Sequence, residues 1–77
     1  MWIELIEIIG YIKNDTGING KAFLFNVTKE DINFDCILFI HENIEPFVSL
    51  HEDDNYDKNE ILKAIFEKYT LTQLFEA

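Results

Sequence analysis

The sequence contains no arginine, one cysteine, one proline and three glycines, and each scarcity narrows what the chain can do. Without a guanidinium fork the strongest grip on phosphate is missing. Six lysines stand against 15 acidic residues, for a formal net charge of −9. Nucleic-acid binding rests on neutralising phosphates, and anionic membranes attract basic segments. Direct contact with either is therefore disfavoured, and the partner this field favours is a basic protein or a cation.

The lone Cys36 cannot close an internal disulfide. It lies in the apolar run Phe34-Asp35-Cys36-Ile37-Leu38-Phe39-Ile40, where a buried, inert thiol is expected. A reducing cytoplasm fits such a chain better than an oxidising compartment. The N-terminal stretch has no basic residues and carries Glu4 and Glu7, which argues against a signal peptide. No apolar run reaches the roughly 20 residues a membrane-spanning helix needs. Gly10, Gly17 and Gly20 match no phosphate-binding loop, and neighbouring Lys21 does not supply one.

Apolar residues, by contrast, are abundant: 48% of the 77 residues, with seven Phe, three Tyr and one Trp. That is too hydrophobic for a disordered acidic tail, and the length is that of one small domain. Residues 2–14 place Glu4, Glu7, Gly10, Tyr11 and Asn14 on one side of a helix and Trp2, Leu5, Ile6, Ile9 and Ile12 largely on another. The spacing predicts an amphipathic helix. Its isoleucines and Gly10 leave a fourth strand as the alternative.

A turn over Asp15–Lys21 follows, then three strand-like runs, 21–28, 33–40 and 44–50, joined by short polar turns. Pro46 cannot donate to a ladder, which assigns the third run to a sheet edge. The middle run is apolar on both faces, so its second face needs a cover, either the N-terminal segment or another protein. Asp57 and Glu60 resemble a capping box, and Ile61, Leu62, Ile65, Phe66 and Tyr69 repeat at helical spacing, predicting a helix over 58–69. The expectation is an α+β domain: a three-stranded antiparallel meander flanked by an N-terminal helix and a C-terminal amphipathic helix.

Negative charge is densest in His51-Glu52-Asp53-Asp54-Asn55-Tyr56-Asp57-Lys58-Asn59-Glu60. Three readings fit this stretch. It could be a docking surface for basic residues with Tyr56 as an aromatic anchor, a divalent-cation site, or a solvated loop whose acids favour the start of the next helix. Two calcium-loop imitations fail at the position where the turn needs glycine. Asp31, Asn33, Asp35 and Glu42 have Cys36 there, and Asp53, Asn55 and Asp57 have Lys58. His41 and His51 fit no zinc spacing, and Ser49, Cys36 and the threonines sit in no nucleophile elbow. No catalytic set, metal site or cofactor is expected.

The expected function is that of a small acidic interaction module. It would inhibit a basic, nucleic-acid-binding protein by charge complementarity or nucleic-acid mimicry, through Glu52, Asp53, Asp54, Tyr56, Asp57 and Glu60, with Asp31 and Asp35 secondary. The alternative is a structural subunit that forms a homo-oligomer through apolar sheet surface.

Overall fold

A computed structural model of the protein describes residues 1–15, 17–50 and 56–76. Four strands lie in chain order in one antiparallel sheet: β1 (Trp2–Asn14), β2 (Gly17–Lys29), β3 (Ile32–His41) and β4 (Ile44–Leu50). Two helices follow, α1 (Lys58–Lys68) and α2 (Leu71–Glu76), and the class is α+β. Among the described residues no helix is long and apolar enough to cross a membrane.

The N-terminal segment is a strand, not the expected helix, and the sheet has four strands rather than three. The cause of the false helical signal is visible in the β1–β2 register. One extra residue interrupts β1 between Leu5 and Glu7, and another between Ile8 and Gly10. Each bulge adds a residue without adding a partner, so a period of two becomes a spacing of three. Glu4, Glu7 and Gly10 pair with Asn26, Leu24 and Ala22 on one face. Leu5, Ile8 and Tyr11 pair with Phe25, Phe23 and Lys21 on the other. β-Branched isoleucines favour this extended backbone, and their three-residue spacing imitates a helix stripe.

The remaining strands follow the alternation of their side chains. β2 and β3 pair without interruption from Gly20↔His41 to Lys29↔Ile32, and Glu30, at the turn, takes a left-handed φ of 57°. β4 is one of the two outer strands, a position that accommodates Pro46. Helix-facing residues build the core: Ile3 from β1; Phe23, Phe25 and Val27 from β2; Cys36, Leu38 and Ile40 from β3; Val48 from β4. Ile61 and Ile65 of α1 and Leu74 of α2 close it from above. Each such side chain contributes about 1.5–3 kcal/mol relative to its exposed state.

Both helices are capped by residues of known type. Asp57 accepts from the backbone N–H of Asn59 at 2.9 Å and of Glu60 at 3.3 Å, which fixes the start of α1. Glu60 turns outward to Lys29 at 3.0 Å. Replacing Asp57 with alanine should cost about 1 kcal/mol, measured by urea unfolding, and Asp57→Asn should recover most of it. At α2, the Thr70 hydroxyl accepts from Gln73 N at 3.1 Å while Gln73 Oε1 accepts from Thr70 N at 2.8 Å, a reciprocal capping box. Lys21, only 5% exposed, reaches from β2 to the other end of α2. Its ammonium donates to the carbonyls of Leu74 and Phe75, where a cation meets the negative end of the helix.

Candidate protein-docking surface

The face of the sheet opposite the helices is uncovered by any described residue. Because β1 is a strand in the sheet plane, the N-terminal segment gives this face no cover. Register sorts the face into rows across the strands. One row runs Gly10, Ala22, Phe39, Phe47, and the next runs Glu7, Leu24, Ile37, Ser49. A third runs Glu4, Asn26, Asp35, and beyond the first lies Ile12, Gly20, His41, Ile44.

The middle of this face is apolar. Phe39 and Phe47 stack with centroids 5.0 Å apart and planes 19° from parallel, and Phe47 is 49% exposed. Leu24 and Ile37 sit beside them, half-buried, along a depression of about 240 Å³ that Asp35 and Ser49 also border. Gly20 lets the adjacent row close. A Cβ there would lie 2.9 Å from the Ile40 carbonyl oxygen and about 3 Å from Ile12 and His41 side-chain carbons, so only glycine fits.

The rim is acidic and amidic. Glu4 and Glu7 are exposed along β1 and Asp35 along β3. Asn26 donates to Asp35 Oδ1 at 2.8 Å and to Asn33 Oδ1 at 3.0 Å, and Asn33 donates back to Asn26 and to Thr28. This network orients Asp35 without neutralising it. The lysines lie elsewhere. Lys21 and Lys29 reach toward the helices, Lys58, Lys63 and Lys68 belong to α1, and Lys13 alternates with Ile12 and points away from this face. The lysines thus lie on the helix side or away from the sheet's open face, among Asp57, Glu60, Glu67 and Glu76, and the open face has carboxylates without lysine.

The acidic residues singled out from sequence are dispersed. Glu52, Asp53 and Asp54 lie outside the described residues. Asp57 is committed to the α1 cap, and Glu60 to Lys29. The Glu60 hydrogen bond, followed by its charge, raises the Lys29 pKa. That small contribution to stability is present below the usual lysine value and is lost as pH rises through the folded-state value. Tyr56 stacks on Phe34 with centroids 4.1 Å apart, so its ring is spent within the fold. Asp31 is exposed beside the β2–β3 turn, and Asp35 alone joins the open face. The two-sided apolar character of β3 signals this face in the sequence, whereas nothing in the spacing of Glu4 and Glu7 places them on it.

Cys36 is buried on the helix side. Burial, with a smaller push from the Asp35 charge, raises its pKa to about 11 from a usual 9.0. The folded state keeps the thiol protonated where the unfolded chain ionises, so this site destabilises progressively from about pH 9 to 11 and has no effect below. Native-state alkylation of Cys36 should proceed only at the rate of protein opening, and labelling as fast as free cysteine would contradict its burial. No group of three His, Cys, Asp or Glu side chains that could hold a metal occurs among the described residues. Comparison of the chain with protein-family models, with characterised proteins and with solved structures found no match in any of the three.

Proposed function

We propose that the protein is an acidic interaction module that docks a basic protein on the open face of its sheet. The observation that carries this reading is an acidic, lysine-free rim around uncovered apolar surface. Phe39, Phe47, Ile37 and Leu24 supply a centre that gains from leaving water, and Glu4, Glu7 and Asp35 rim it on the lysine-free face. Apolar contact supplies the holding energy, and the rim steers and orients a cationic partner. Occupying that partner's cationic surface would block the anion or nucleic acid it normally binds, which makes the module an inhibitor. Its role is binding rather than catalysis, and it acts in the cytoplasm, where Cys36 stays reduced.

Calorimetric titration with an amphipathic Leu/Lys peptide and its Leu/Glu counterpart tests this. The basic peptide should bind and the acidic one should not, with affinity falling as salt rises from low to roughly 0.5 M. Equal binding of the two, or indifference to salt, would overturn the reading. Self-association through the same strip is the competing reading, since Phe47 and Ile44 are exposed. It brings like carboxylates together, so added salt would not weaken it, and sedimentation across a salt series separates the two.

A further inference from the structure

We propose that the basic partner is held in part as an added strand, an extended segment of its chain lying along the outer edge of β4. This rests on the reading above and specifies how the partner binds. The sheet has two outer edges, and one of them is obstructed. β1 is interrupted by its bulges, and Lys68 Nζ occupies the Ile3 carbonyl at 2.7 Å while lying 4.7 Å from the Trp2 ring centroid. Bulges and lysines on an edge are common devices that keep other strands away.

The β4 edge differs. From Phe47 to Leu50 its pairing with β3 is regular; the register shifts only between Ile44 and Phe47, where Pro46 removes a single donor. An added strand places alternate side chains on opposite faces of a sheet, so both neighbouring surfaces matter. On one side is Phe47 and the open face. On the other, a cleft of about 410 Å³ runs between β4 and the helices, lined by Glu45, Pro46, Leu62, Phe66 and Leu71. A second hollow shares Glu45, Pro46 and Leu71 with it and extends to Glu42. Ile44, at 58%, and Leu71, at 41%, stand exposed on its margins.

The occupant follows from this lining. Glu42 and Glu45 are its charged groups and no lysine borders it, which selects apolar side chains interleaved with Lys or Arg. A second copy of the chain is a poor occupant, because its net charge of −9 would bring carboxylates against carboxylates.

Three peptides of one Val/Lys content provide the test: one strictly alternating, one spaced for a helix, and one alternating with methyl groups on successive amide nitrogens, which removes the donors from both edges. The alternating peptide should bind about tenfold or more tightly than either control and should slow amide exchange within β4. Leu71→Ser should weaken it about tenfold with little change in the thermal midpoint, since Leu71 is 41% exposed. Helix-spaced peptide binding as well as the alternating one, with β4 exchange unaltered, would overturn strand addition and leave basic-partner docking standing. Binding by none of the peptides would overturn both.

Discussion

Replacing Phe25 with alanine should bring the protein to the edge of unfolding at room temperature. Phe25 is fully buried at the centre of β2, with Leu5 and Cys36 as its cross-strand partners. Its ring meets Tyr69 edge-on at 5.8 Å between centroids and lies 6.4 Å from that of Phe23. A cavity there opens between sheet and α1, where neighbours on two layers cannot both collapse inward. Such truncations cost about 3–5 kcal/mol. Native stability of roughly 0.05–0.15 kcal/mol per residue leaves little beyond that for a chain this short. The thermal midpoint should fall by on the order of 20 °C. Phe25→Leu should cost far less, and a loss below about 1 kcal/mol for Phe25→Ala would contradict the assigned core.

The opposite outcome is expected on the open face. Substituting Ile37 with serine and Phe47 with alanine should weaken the basic peptide at least about thirtyfold, the effect of losing a hot spot worth about 2 kcal/mol. Folding stability should change little by comparison, because Phe47 is half exposed and Ile37 has no layer packed above it. Ile32→Ser is the control. Ile32 is similarly exposed, at 48%, but pairs with Lys29 at the turn end of β3, on the helix-facing row and away from the strip. Its substitution should leave binding unchanged, and an equal loss at Ile32 would mean that general hydrophobicity, not this surface, drives association.

Much of the architecture could be read from side-chain period alone. Phe23, Phe25 and Val27 in β2, and Cys36, Leu38 and Ile40 in β3, alternate as half-buried strands must, and Asp57 marks the start of α1. β1 could not be read this way, because its bulges convert the strand period into one resembling a helix. Period analysis has no means to detect an inserted residue before the partner strand is known. Thr70 and Gln73 form the capping box of α2, which the helical spacing that ends at Tyr69 does not reveal.

The functional surface was less legible for a different reason. Local density of charge drew attention to residues 52–60, yet Asp57 and Glu60 are engaged in the fold and Tyr56 is stacked on Phe34. The carboxylates that share a surface, Glu4, Glu7 and Asp35, come from two strands with β2 between them. Only the register brings them together. Lys21 was similarly opaque, since a lysine beside a turn gives no hint that it is buried against the carbonyls of a helix 53 residues away.

Amide NMR of the labelled protein during titration with the basic Leu/Lys peptide locates the contact surface residue by residue. Shift changes should concentrate at Leu24, Ile37, Phe39 and Phe47 and fade as salt is added. Changes confined to α1 and its lysines, or spread evenly over the whole chain, would contradict docking on the open face.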